Sequence, residues 1–208
     1  DGAAPTRGWW YRGEVAIQLT GSTFEVVNRL GMQEYLYGVV PRESPASWAP
    51  AALQAQAVAA RTYEQAVARP TATNDICDTT QCQVYGGREL VDVAAGRVVQ
   101  GESASTNAAV DATRGVIRTR SATDARPAFT QFSSSSGGYT VAAGADHPYL
   151  RAQPDPWSGT APRDPATHWT YRLTVDSVSQ RCTGGGRATA LEITSRDDKT
   201  LVSYLTLP

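Results

Sequence analysis

Tyr35 to Tyr63, YLYGVVPRESPASWAPAALQAQAVAARTY, places one acidic residue, Glu43, in a proline-bounded segment ahead of an alanine-dense stretch. Pro41, Pro45 and Pro50 each fix φ and remove a backbone donor, so PRESPASWAP is expected to form a turn that cannot continue a helix. Pro50 suits the first turn of the following helix, where a missing N–H has no intrahelical partner to lose. That helix is expected from Ala51 to about Ala68, ~27 Å long at 1.5 Å per residue. Leu53, Ala57, Ala60, Glu64 and Val67 share one face, with Gln56 and Tyr63 beside it, while Ala51, Ala55, Val58, Thr62 and Ala66 form the reverse. Both faces are small or apolar, the pattern of a helix buried within a domain.

Glu43 is thus expected on a rigid loop at the N-terminal end of a buried helix. The helix dipole there favours a carboxylate, whereas burial beside Trp48 favours the protonated acid. Two readings stand at this point. Glu43 caps the helix or pairs with Arg42 or Arg61, or it is a general acid held ready in an apolar turn.

Outward from this stretch the chain reads as α+β. Trp10–Thr20 and Ser22–Arg29 alternate apolar and polar residues about Gly21, as a hairpin does. Gly31–Val40 is expected as a short helix, with further helices from about Glu89 to Val99 and from about Ser105 to Arg114. Gly115 ends the last of these, and Val116–Arg120 leads towards strands. Phe129–Ser134, Thr170–Val175, Ala188–Thr194 and Leu201–Leu207 have strand character. The β-rich parts therefore lie at the two ends, around a buried alanine-rich central helix. The 208 residues suffice for one domain spanning 1–208, or for two tightly packed lobes with a candidate boundary in the loop-rich Gln153–Thr167.

Composition excludes several function classes. The net charge is −1 and no Lys/Arg cluster occurs, so nucleic acid is not an expected partner. No apolar run approaches the ~20 residues that cross a bilayer. No charged-then-apolar leader is visible, so any signal peptide is expected to have been removed or to lie outside this sequence. A serine nucleophile in Ser133–Ser136 has Asp146 and His147 within reach in sequence, but no G-x-S-x-G elbow is present.

Four ordered blocks carry a resemblance. They are the Tyr35–Tyr63 stretch, CDTTQCQVYGG at Cys77–Gly87, AVDATRGVI at Ala109–Ile117, and FTQFSSSSGGYT at Phe129–Thr140 followed by PYLRAQPDPW at Pro148–Trp157. Together they resemble the stage II sporulation protein D family, which includes the amidase-enhancer proteins. YRGEVAIQL and VNRLGMQEYL fit the family's first strands, so the resemblance covers nearly the whole chain. It implies a lytic transglycosylase acting on peptidoglycan glycan strands stripped of their stem peptides, in an extracytoplasmic setting. The family's catalytic glutamate lies in a GVV-x-x-E-x-P block, which here runs from Gly38 to Pro45 and makes Glu43 that residue. Ordinary glycoside hydrolysis needs two carboxylates. In the transglycosylase reaction the muramic C6 hydroxyl is the nucleophile, so one acid suffices; Asp78 and Glu64 are the nearest alternatives for a second. A non-catalytic wall-binding protein that stimulates an N-acetylmuramoyl-L-alanine amidase is the competing reading.

The resemblance also bears on the remaining residues. Some relatives hold zinc with the cysteines and histidine of a CDTTHC block, but here Gln81 stands at the histidine position and an amide is a poor ligand beside thiolates. No metal or other cofactor is therefore expected. In an exported protein a Cys77–Cys82 disulfide is the favoured pairing, and pairing of either cysteine with Cys182 stays open. Gln56, Arg61 and Tyr63 are candidate substrate-side residues that would also position the Glu43 loop. Tyr85 and Trp157 offer rings for stacking on sugars or for packing. Ser134, Ser135 and Gly137 belong to a hydroxyl-rich run suited either to hydrogen-bonding a sugar or to a plain turn.

Overall fold

A computed structural model describes residues 7–69, 74–158, 172–182, 192–195 and 204–206. The chain divides into two compact units, Asp1–Gln131 and Phe132–Pro208. The candidate boundary at Gln153–Thr167 therefore falls within the second unit, and its residues 159–167 lie outside the described residues.

The first unit opens with strand β1 (Arg7–Trp10), followed by the antiparallel hairpin β2 (Glu14–Thr20) and β3 (Thr23–Arg29), in register from Glu14 opposite Arg29 to Thr20 opposite Thr23. Trp10 does not continue into the hairpin as its alternation suggested. Gly13 turns the chain at φ +71°, and β1 leaves to pair elsewhere. Helix α1 (Met32–Glu43) and helix α2 (Pro50–Val67) come next. Strands β4 (Glu89–Asp92) and β5 (Arg97–Gln100) then form an antiparallel sheet in the order β1-β4-β5, before helix α3 (Ala104–Ala112).

Helix α1 overturns one expectation. It runs through Pro41 and ends at Glu43, so the turn begins only at Ser44. Pro41 forfeits a single N–H in the last turn, and Leu36, Val39 and Val40, all fully buried, hold that turn against the core. The Ser44 N–H still reaches the Val40 carbonyl at 2.9 Å. Packing here outweighs the local bias of a residue that precedes proline. Glu43 accordingly sits at the C-terminal end of α1, not on a loop before α2.

Helix α2 begins at Pro50, in its N-terminal turn as expected. Leu53, Ala57 and Ala60 face inward and join Tyr35, Leu36, Val39, Val40 and Val110 in the core. Its burial is not uniform, since Ala51, Ala52 and Ala55 on the first two turns are exposed. Small side chains read equally well as buried or as simply helix-forming.

The helix expected at Glu89–Val99 is instead the β4–β5 hairpin. Its turn is fixed by the Asp92 Oδ1, which accepts the Ala95 N–H at 3.0 Å, and by Gly96 at φ +58°. β-Branched residues and a waiting partner strand decide the matter, with Trp9 opposite Leu90 and Leu90 opposite Val99.

In the second unit, Phe132–Ser134 has no ladder, nor have Phe129–Gln131 in the first, so the strand expected at Phe129–Ser134 does not form. Residues 172–174 are irregular, and helix α4 (Val175–Cys182) replaces the end of the strand expected at Thr170–Val175. Thr174 caps it through Oγ1, which accepts the Ser177 N–H at 3.2 Å. Strands β6 (Glu192–Ser195) and β7 (Tyr204–Thr206) pair antiparallel, β7 within the segment expected at Leu201–Leu207 and β6 running one residue past the segment expected at Ala188–Thr194. Residues 188–191, 201–203 and 207 of those segments lie outside the described residues. The fold class is α+β.

Candidate active site

The Glu43 carboxylate is fixed from the loop that follows the cysteines. Its Oε1 accepts the backbone N–H of Val84 at 2.9 Å. Two residues on, the Gly86 N–H donates to the Gly38 carbonyl at 3.0 Å, so residues 84–86 run along the C-terminal half of α1. Gly38 permits this close approach, because a Cβ there would meet the Tyr85 ring. A Cβ at Gly86 would meet the Arg42 guanidinium, the far end of an exposed side chain that can move aside. Ser44, fully enclosed, closes α1, and the Ser105 hydroxyl donates to the Ala46 carbonyl at 2.7 Å to hold the turn that follows. Trp48 is 51% exposed, so the apolar shield expected from it is absent.

A disulfide joins Cys77 to Cys82, with Cα atoms 5.7 Å apart. Inside the loop the Cys82 N–H donates to the Thr79 carbonyl at 2.9 Å and the Tyr85 N–H to the Asp78 carbonyl at 3.2 Å. Gln81 is exposed between the two bonded cysteines. Among the described residues no group of three His, Cys, Asp or Glu side chains is placed to hold a metal. The side chain of Cys182 lies outside the described residues.

Gln83 and Tyr35 supply the floor behind this loop. The buried Gln83 amide donates to the Ala60 carbonyl at 3.2 Å and to the Tyr35 hydroxyl at 3.4 Å, tying the loop to α2 and α1. Burial raises the Tyr35 phenol well above its ordinary range; the Gln83 bond opposes this, and the charges of Glu64 and Glu43 add to it. Tyr85 packs its ring 5.5 Å from that of Tyr35 and 6.1 Å from that of Tyr11, and its hydroxyl donates to Asn28 Oδ1 at 2.9 Å. Burial pushes its phenol up to about 12. Gln83 and Val84 sit in the CDTTQCQVYGG block, and the contacts that matter, an amide reaching α2 and a backbone N–H, carry no signal in its residue types.

The polar residues of α2 have distinct places. Arg61, 1% exposed, donates to the Val116 carbonyl at 3.0 Å, to the Val110 carbonyl at 3.2 Å and to Gln33 Oε1 at 3.3 Å, with Thr113 Oγ1 at 3.4 Å. It knots α1, α2 and the end of α3 together, and its burial leaves no surface for a substrate. Desolvation lowers its pKa, and Arg114 adds to the effect. Gln56 is half-buried, and its Nε2 is enclosed with no hydrogen-bond partner among the described residues. Tyr63 stacks on Phe129 at 5.3 Å. Glu64 is half-buried, and burial followed by the Asp75 charge raises its pKa.

Ser134, Ser135, Gly137 and Trp157 belong to the second unit and are described within it. The serine run ends in a turn wound on Asp155, where the Ser136 hydroxyl donates to Asp155 Oδ2 at 2.7 Å and the Asp155 N–H donates to the Gly138 carbonyl at 2.9 Å. Ser135 Oγ accepts the Gly137 N–H at 3.4 Å, Ser134 is exposed, and Trp157 is 75% exposed. His147 Nδ1 lies 3.1 Å from the Tyr149 hydroxyl.

A family model described as stage II sporulation protein matches residues 20–119, a span that holds Glu43, the cysteine loop and all of α3. An uncharacterised protein of Brachyspira hyodysenteriae is 30% identical over 224 residues, covering 95% of this chain and 57% of that protein. The amidase enhancer of Bacillus subtilis is 35% identical over 150 residues, 70% of this chain but 18% of the enhancer. The stage II sporulation protein D of the same organism is 32% identical over 164 residues, 74% of this chain and 47% of that protein. The chain thus spans less than three-fifths of the length of each of these relatives. No solved structure matches it. This chain belongs to the stage II sporulation protein D family, together with the amidase enhancer.

Proposed function

We propose that this protein is a lytic transglycosylase that cleaves peptide-stripped peptidoglycan strands, with Glu43 as the sole general acid and base. The observation that carries the reading is the Val84 N–H on Glu43 Oε1, which fixes one oxygen of a carboxylate lying in the family's motif. The reading gives the proton to Oε2. Protonated Glu43 donates to the glycosidic oxygen as the C1–O bond breaks. The muramic C6 hydroxyl then attacks C1, its proton returns to Glu43, and a 1,6-anhydro ring forms without water. The disulfide supports an extracytoplasmic, secreted or wall-associated location. Among the described residues no helix is long and apolar enough to cross a membrane.

Stripped glycan incubated in ¹⁸O-labelled water and analysed by mass spectrometry tests this directly. Unlabelled, water-deficient anhydro ends are expected. Labelled reducing ends would mean hydrolysis, and with it a second carboxylate acting on water.

One observation favours a second reading, the 35% identity to a protein named for enhancing an amidase. On that reading the protein binds wall glycan and stimulates an N-acetylmuramoyl-L-alanine amidase. Intact glycan after long incubation, together with faster peptide release by an added amidase, would select it.

A further inference from the structure

The β2–β3 hairpin carries its apolar residues on the wrong side for a core. The register sets Ile17 opposite Val26 and Leu19 opposite Phe24, with Val15 next along the same face. These five side chains are between 50% and 75% exposed, whereas Ala16, Gln18, Glu25 and Val27 on the other face are partly covered. Strand register normally turns the apolar set inward, because a slip of one residue would exchange the two faces. A contiguous exposed apolar face marks an interaction surface.

That strip runs into a cavity of about 680 Å³, of which Val15 and Val26 form part of the wall. Its volume is in the range of small-ligand sites, roughly 300–1,000 Å³. The rest of the wall includes Tyr11, Tyr85 and three carboxylates, Glu64, Asp75 and Asp78, against one cation, Arg29. Arg29 has Glu14 opposite it in the hairpin register. Aromatic faces and an excess of carboxylates suit a cation, and the adjoining strip suits aliphatic side chains.

We propose that this surface docks an extended polypeptide segment, seating a lysine or arginine in the Glu64/Asp75 cavity and alternate apolar residues along Val15, Ile17, Val26 and Phe24. Other occupants fit less well. A strip of Val, Ile, Leu and Phe side chains gives sugar hydroxyls nothing to bond. The carboxylates repel the anionic head groups of a membrane. A second copy joined by a two-fold axis would set one acidic cavity towards its own kind. An extended segment with residues i, i+2 and i+4 on one face matches both parts at once.

The test uses the whole chain and the acetylated, amidated peptide Lys-Ser-Val-Ser-Leu, with two analogues: norleucine for the lysine, and serine for both apolar residues. Saturable binding is expected, with NMR shifts confined to the amides of the hairpin and of residues 74–78. Either analogue should weaken it about tenfold. Asp75→Asn combined with Glu64→Gln, and separately Phe24→Ser, should do the same while leaving the circular dichroism spectrum unchanged. Asp75 and Phe24 are exposed, so both positions tolerate change without loss of the fold. Equal binding of the norleucine peptide, no saturable binding, or a dimer in sedimentation that Phe24→Ser abolishes would each overturn the proposal.

Discussion

Glu43 and Arg61 lie on neighbouring helices and have opposite fates. Glu43 accepts a backbone N–H, from Val84, which orients its side chain. Glu43→Gln preserves the shape and can still accept that N–H, but it cannot donate and retake a proton. Turnover of stripped glycan should fall below about a tenth of the wild-type rate, with thermal unfolding unchanged. A variant that keeps its activity would remove Glu43 from the mechanism. Arg61 instead serves the fold. Arg61→Met strips donors from the buried Val110 carbonyl, from the Val116 carbonyl and from Gln33, and should cost about 3 kcal/mol in urea unfolding. Gln56 contrasts with both, since its enclosed Nε2 is a donor without a partner among the described residues.

Among the elements, the cysteine loop matters most for the site. It is short, and it carries Gln83, Val84 and Gly86 onto α2 and α1 through separate hydrogen bonds. Closing six residues with a disulfide restricts the unfolded chain little, on the order of 2 kcal/mol. Replacing Cys77 and Cys82 together by serine should therefore lower stability by no more than about that amount. The larger effect is expected locally, as faster hydrogen exchange at Val84 and a several-fold loss of glycan cleavage. Chelators should leave activity untouched; loss on chelation with recovery on adding zinc would show that the loop holds the metal despite Gln81. The other element decided by its surroundings is the β4–β5 hairpin. VDVAAGRVV fits a helical pattern as well as a strand pattern, and its β-branched residues become strands with β1 as a partner and a turn fixed by Asp92 and Gly96.

At the scale of the molecule, stability responds to a carboxylate that the fold half buries, Glu64. Burial raises the folded-state pKa of Glu64, so the folded protein binds its proton more tightly than the unfolded chain does. The contribution of this group to stability is therefore least favourable above the folded pKa and improves as pH falls through it. Glu64→Gln should raise the unfolding midpoint at neutral pH, and the advantage over wild type should shrink as the solution is acidified. Denaturant titrations of both proteins from pH 7 towards pH 4 would measure it. An advantage that grows on acidification would contradict the sign. Glu43, Val84 and the cysteine loop belong to the unit Asp1–Gln131, and the serine turn belongs to the unit Phe132–Pro208.

By itself the sequence determined the α+β class, the β2–β3 hairpin about Gly21 and the helix opening at Pro50. Each of these depends on local chemistry: alternation about a glycine turn, and proline at a helix start. The tertiary structure alone decided that α1 continues through Pro41 to Glu43, because the burial of Leu36, Val39 and Val40 outweighs one missing hydrogen bond. It also decided that Arg61 turns inward and that Val84, a residue with no polar side chain, supplies the donor to Glu43. A backbone N–H leaves no mark in the sequence. Its direction is set by where the chain 41 residues away has been folded, and no local pattern encodes that.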